Sequence, residues 1–249
     1  MIKVESMILE TRKGRVSAGE AIGILLLDTS VPFIPGDVAN ATTYSFPVRF
    51  KKVENFTVAR AIGKDPTVFD SLLTAAQELV QQGVRAITGD CGFMGIHQKK
   101  LARELGVPIF LSSLLQINFI KNLIGTDDKV GIITADSRSL DSTLLTAVGV
   151  PDQSNLVIRG LEDSPQFYQF AIEETGSLDV QAVEKEVVSI TRDLVDQNRK
   201  TKAILLECSL LPPYGAAVQD AVHLPVFDYI TMINFVFSAV VKQRYTGFM

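Results

Sequence analysis

The sequence predicts an α/β fold of two similar halves. Each half is a parallel sheet flanked by helices, and a pseudo-two-fold axis relates them across a cleft that holds the active site. Three observations lead there. First, short aliphatic runs alternate with stretches of helical periodicity, the pattern of parallel strands joined by right-handed crossovers. Second, one block occurs twice. Glu78-Leu79-Val80-Gln81-Gln82-Gly83, Arg85-Ala86-Ile87 and Asp90-Cys91 match Asp193-Leu194-Val195-Asp196-Gln197-Asn198, Lys202-Ala203-Ile204 and Glu207-Cys208, and Pro108 and Pro225 each follow 17 residues after the cysteine. Third, Ile22-Gly23-Ile24 leading to Asp28-Thr29 is echoed by Val130-Gly131-Ile132 leading to Asp136-Ser137.

Each element has its own local reason. Residues 1–20 are mixed in character and are expected to form an N-terminal strand or arm. The run 21–27 is continuously aliphatic, as in a strand covered on both faces. Residues 29–45, with Pro32, Pro35 and Gly36, form a loop of the length that ligand-binding segments take. A second strand is expected over 46–50. Asp65 caps a helix that starts at Pro66, carries Leu72, Leu73, Ala76, Leu79 and Val80 on one face, and stops at Gly83. Then follow a strand over 84–88, a helix over 96–105, a strand over 109–111 and a helix over 114–124. Gly125-Thr126-Asp127-Asp128 reads as the boundary between halves. The second half is expected to run as strand 130–134, helix 140–147, strand 155–158, helix 180–197, strand 203–206, a short helix from Pro212-Pro213 to 221, strand 225–227 and helix 230–241.

Composition narrows the function classes. The 249 residues are 47% hydrophobic, enough for a substantial core. A net charge of −4 and a pI near 5.3 lack the basic footprint of a nucleic-acid binder. The apolar run 21–27 ends at Asp28 and is far too short to span a bilayer. A cytoplasmic protein without nucleic-acid or membrane partners is expected, as a homodimer by the commonest symmetry of small enzymes. No metal is expected, because the two cysteines are far apart without a CxxC and His97 and His223 are the only histidines. No glycine-rich nucleotide turn occurs, and nothing singles out a Schiff-base lysine, so no cofactor is expected.

The two cysteines carry the chemistry. Each follows an apolar strand and precedes a helix, the place where open α/β sheets bind ligands. A helix start offers backbone N–H groups and lowers a thiol pKa. Gly92 and Gly95 limit bulk near Cys91, and Ser209 adds a hydroxyl beside Cys208. Two thiols on opposite faces of one carbon can remove a proton and return one, with backbone N–H groups stabilising the charge that builds on a carboxylate. A free cysteine is often merely a small buried hydrophobe, but the repeated frame argues for a shared role. Asp90 and Glu207, just before the thiols, either point away from the cleft or cap the next helix. The expected site is Cys91 and Cys208 as acid and base, with Asp28, Thr29, Gly92, Phe93, Thr134, Ser209 and Leu210 around the substrate.

These residues resemble the aspartate/glutamate racemase superfamily, which includes amino-acid racemases, hydantoin racemases, arylmalonate decarboxylases and maleate isomerases. The resemblance runs through Asp28-Thr29, Asp90-Cys91-Gly92, Glu207-Cys208-Ser209 and Pro225-Val226-Phe227-Asp228, nearly the whole chain. It implies a cofactor-independent two-base mechanism through Cys91 and Cys208, and a last helix that returns to the first half, so that the first domain is expected to comprise 1–124 with a return over 225–249 and the second 125–224. Glutamate racemases are similar to one another in Cys-Asn-Thr and Cys-Thr-His turns. Here the turns read Cys91-Gly92-Phe93 and Cys208-Ser209-Leu210, and Val31-Pro32-Phe33-Ile34-Pro35-Gly36 replaces a glycine-rich run. The expected function is racemisation or epimerisation of an amino acid or related small carboxylate. The alternatives are a cis–trans isomerase or decarboxylase of a small dicarboxylate that uses one cysteine, and a binding protein of the same fold without turnover.

Overall fold

The computed structural model describes residues 10, 11 and 13–249. The expected N-terminal arm falls partly outside the described residues, and 13–21 form neither helix nor strand. The first half contains β1 (Ile22–Leu26), β2 (Val48–Lys52), α1 (Val58–Ile62), α2 (Phe69–Gln82), β3 (Ala86–Gly89), α3 (Gln98–Glu104), β4 (Ile109–Phe110) and α4 (Ile117–Lys121). The second contains β5 (Lys129–Thr134), α5 (Ser142–Ala147), β6 (Leu156–Gly160), α6 (Pro165–Ala171), α7 (Val180–Gln197), β7 (Thr201–Leu206), α8 (Gly215–Val222) and β8 (Val226–Phe227). The last helix is α9 (Tyr229–Val240).

The two sheets have the same build. Their strand orders are β2-β1-β3-β4 and β6-β5-β7-β8, and every pairing is parallel. The internal repeat has a packing cause. A Cβ on Gly23 of β1 would lie 2.9 Å from Leu79 of α2, and one on Gly131 of β5 would lie 2.8 Å from Leu194 of α7. Each central strand therefore carries a glycine so that the repeated helix leucine can settle onto it. Both leucines are buried.

Period-two alternation places the core. On β1, Ile22 and Ile24 face Tyr229, Met232 and Ile233 of α9, while Leu25 joins Leu72, Leu79 and Ile87 on the other face. That second cluster continues into the other half through Val130, Ile132, Leu144 and Leu205, so the halves share one core. A further cluster covers the outer face of the second sheet with Phe167, Phe170, Val183, Leu194 and Tyr214. The helix that returns at the C-terminus is held by the Tyr229 hydroxyl, which donates to the Leu111 carbonyl at 2.8 Å. Residues 225–227 were expected with the first half, but β8 pairs with β7 in the second sheet, so the return begins at Asp228. Asp228 caps α9 by accepting from the Thr231 N–H at 2.7 Å.

Two helices were not anticipated. In α1, Thr57 caps a segment of five residues, and α6 opens on Ser164-Pro165. The expected helix over 114–124 is instead a 3-10 turn, Ser113–Gln116, followed by α4. No helix among the described residues is long and apolar enough to cross a membrane.

Candidate active site

The carboxyl ends of β1, β3, β5 and β7 converge on a partly open cavity of about 50 Å³ between the halves. A single water needs roughly 10–15 Å³ by this measure, so the space suits a small guest. Cys91 and Cys208 both line it, as do Thr29, Gly92, Phe93, Ser209 and Leu210. Both cysteines are free and partly exposed. Each opens its turn in the same way. Cys91 has extended backbone before the 3-10 turn Gly92–His97, and the N–H two residues on, that of Phe93 or of Leu210, faces the sulfur. Asp90 and Glu207 add two carboxyls to the wall, and the rest of it is apolar, with Leu27, Val31, Phe33, Val58, Ile62 and Ile172. Among the described residues no lysine, arginine or histidine lines the cavity.

Two expected residues lie elsewhere. Asp28 does not line the cavity and accepts from Lys52 Nζ at 3.2 Å. Leu27 and Thr29 line the cavity, while the residue between them, past the end of β1, turns to Lys52 at the end of β2. Thr134 is fully buried behind the wall, and its hydroxyl donates to Glu207 Oε2 at 2.8 Å. It is therefore a support for Glu207 rather than a wall residue. His97 is buried against Phe56 and Phe69, away from the cavity. Burial and the nearby Lys100 push its pKa down to about 4.

The carboxylates before the thiols divide in role. Asp90 accepts from the Leu27 N–H with both oxygens, at 3.0 and 3.2 Å, and so fastens β3 to the end of β1. Glu207 instead reaches across the cleft. A Cβ on Gly92 would sit 1.6 Å from Glu207 Oε1, so the carboxyl rests on the turn that carries Cys91. Ser209 interlocks the turns in the other direction, its hydroxyl donating to the Asp90 carbonyl. Among the described residues Oε1 has no hydrogen-bond partner. Burial pushes Asp90 and Glu207 up to about 7 against these N–H and O–H donors. Burial, and then the negative charge of Glu207, pushes both thiols up. Sequence reading also missed Glu174 beyond α6, which accepts from the Thr29 hydroxyl and from the Ser30 N–H and so ties the first-strand loop to the second half.

Four carboxyls raised by burial, Asp37, Asp90, Glu207 and Asp228, give a measurable pH dependence. Asp37, buried with Oδ1 unpartnered, is also pushed up to about 7 by burial. A carboxyl whose folded pKa exceeds its unfolded value stabilises fully below the unfolded pKa, and that stability is lost as pH rises through the folded pKa. Buried His97 works oppositely, but only below about 6.5, its unfolded value. Between pH 6.5 and 8 the carboxyls dominate, and Asp37, Asp90 and Glu207, each raised to about 7, together lose about 2 kcal/mol. Thermal melts should show lower stability at pH 8, with a shallower slope in Asp37→Asn; a flat profile for the native chain would contradict these assignments.

No protein-family model matches the chain. It is 33% identical over 237 residues to dimethylsulfoniopropionate lyase 3 of Emiliania huxleyi, covering 91% of this chain and 61% of that protein. It is 31% identical over 222 residues to the dimethylsulfoniopropionate lyase of Durusdinium sp. clade D, covering 86% of this chain and 73% of that protein. The chain thus spans about three fifths of the length of the Emiliania huxleyi relative. Among solved structures, allantoin racemase from Pseudomonas fluorescens superposes with a TM-score of 0.58 at 15% identity, covering 89% of this chain and 91% of that one. Unliganded arylmalonate decarboxylase superposes with a TM-score of 0.58 at 15% identity, covering 90% and 94%. The fold is therefore that of the aspartate/glutamate racemase superfamily, as the twin cysteine turns led us to expect.

Proposed function

Because this chain belongs to the family of the dimethylsulfoniopropionate lyases, we propose that it is a cofactor-independent lyase that releases dimethyl sulfide from a small sulfonio carboxylate, with dimethylsulfoniopropionate as the first substrate to test. The observation that supports this reading is the presence of Cys91 and Cys208, from equivalent turns, in the wall of one small cavity. Racemisation beside a carboxylate and β-elimination from a 3-sulfonio acid begin with the same event, the removal of a proton from the carbon next to the carboxylate. One fold can therefore serve both.

In the elimination, a cysteine thiolate takes a proton from C2. The C2–H electron pair becomes the second bond between C2 and C3, and the C3–S bond breaks with its pair remaining on sulfur. Dimethyl sulfide leaves as a neutral molecule and acrylate stays behind. The thiol then gives its proton to water. Negative charge builds on the carboxylate as the proton leaves, and the backbone N–H groups of the two turns are the available donors to meet it. The reaction needs one base, so the second thiol serves as a neutral hydrogen-bond donor. Thiols held mainly protonated at rest fit a site in which the substrate itself shifts the balance toward thiolate.

The test is direct. Purified protein given dimethylsulfoniopropionate should release dimethyl sulfide into the headspace and leave an equal amount of acrylate. A chain that releases none would fail this reading. The near-equivalent presentation of the two thiols favours one rival, two-base epimerisation of an amino acid or similar carboxylate. Chiral chromatography after incubation with single enantiomers would detect it.

A further inference from the structure

The two carboxylates that precede the thiols are equivalent in sequence but not in use. Asp90 spends both oxygens on the Leu27 N–H. Glu207 spends one oxygen on Thr134 and leaves the other, Oε1, fully buried, unpartnered among the described residues and in the cavity wall. A buried acceptor without a partner costs free energy, and a wall that offers it no basic side chain leaves the task to whatever enters. Gly92 is what lets the carboxyl lie over the cavity, because any side chain there would collide with it. Phe33 and Phe93 are also in the wall, and aromatic rings attract onium groups.

We infer that Glu207 is the specificity-determining residue of this cavity, its free carboxyl oxygen receiving the positively charged end of an onium carboxylate substrate. The inference rests on the lyase reading above and deepens it. A cation seated against Glu207 also lies near both sulfurs, since Glu207 is the first charged neighbour of each. Binding would then favour thiolate in the same step that positions the substrate. The groups that face Glu207 are the Thr134 hydroxyl, the Ala135 backbone N–H, Cys91, Cys208 and Tyr229. None of them is cationic, and Tyr229 is tied to the Leu111 carbonyl.

The experiment compares three ligands of similar shape on the full chain. They are dimethylsulfoniopropionate, 3-(trimethylammonio)propionate and the neutral-ended 4-methylpentanoate, the first read by its KM and the other two by inhibition or calorimetry. The native chain should prefer both onium ligands over 4-methylpentanoate by about tenfold or more. Glu207→Gln, which keeps the size and a partner for Thr134, should lower that preference to within about threefold while binding 4-methylpentanoate as before. In the native chain the preference should grow as pH rises through about 7, where Glu207 ionises, and it should be flat in Glu207→Gln. A folded Glu207→Gln chain that keeps the onium preference overturns the inference. So does a native chain whose preference does not change with pH, a result that stands even if the variant fails to fold. Onium preference without dimethyl sulfide release would fail the lyase reading and leave this inference standing. Dimethyl sulfide release without onium preference would do the reverse.

Discussion

Replacing Cys91 or Cys208 by serine is expected to lower dimethyl sulfide release by about 10³-fold or more at one of the two positions, and by a smaller factor at the other. The hydroxyl keeps nearly the same shape and a similar capacity to hydrogen-bond, but it is a far weaker acid than the thiol and cannot act as the base. The loss should be unequal because elimination removes one proton and returns none to carbon. The structure already departs from symmetry in that direction, since Glu207 keeps a free oxygen and Asp90 does not. The loss should fall on the rate, with melting temperature nearly unchanged, because each thiol sits in the wall of a cavity rather than in packed core. Equal and complete losses at both positions would show that elimination needs both thiols and contradict the single-base assignment. Two variants within tenfold of the native rate would remove the cysteines from the mechanism.

Gly92→Ala should be nearly as damaging, for a steric reason. The new methyl would meet Glu207 Oε1 at 1.6 Å and Cδ at 2.4 Å. Glu207 cannot swing aside freely, because it is wholly buried and held by Thr134. Either the carboxyl or the Cys91 turn must move. Overpacking of this kind costs about 1–3 kcal/mol, and displacement by about 1 Å at reacting groups costs about 10²-fold in rate. Thermal melts and the dimethyl sulfide assay read the two effects separately. Adding Glu207→Ala to Gly92→Ala should recover stability relative to Gly92→Ala alone, giving a coupling that independent sites lack. Strict additivity would show that the two residues do not touch.

Much of this architecture is legible in the chain. The repeated block points to two equivalent sheets because a strand glycine and a helix leucine must match for each helix to pack, and Gly23 with Leu79 and Gly131 with Leu194 satisfy that need twice. Cys91 and Cys208 are legible as partners for the same reason. Two things are not. Helices as short as α1 and α6 carry too few turns for periodicity to show, and yet they bring Val58, Ile62 and Ala171 to the cavity wall. In α6 the spacing of Phe167, Phe170 and Ala171 behind Ser164-Pro165 was the available signal. The direction of Glu207 is also hidden, because it depends on how two distant turns meet. Its trace is the glycine after Cys91, where the twin turn has Ser209.

The sulfur atoms of this cavity are assigned the task of taking a hydrogen from the carbon beside a carboxylate, and isotopic substitution at that carbon tests the assignment most directly. Dimethylsulfoniopropionate carrying deuterium at both C2 positions should turn over more slowly than the unlabelled compound by about twofold or more in kcat/KM, and the ratio should be at least as large in the slower of the two serine variants, where chemistry limits the rate more fully. Equal rates for labelled and unlabelled substrate in that variant, or slowing only when the label sits at C3, would contradict the account.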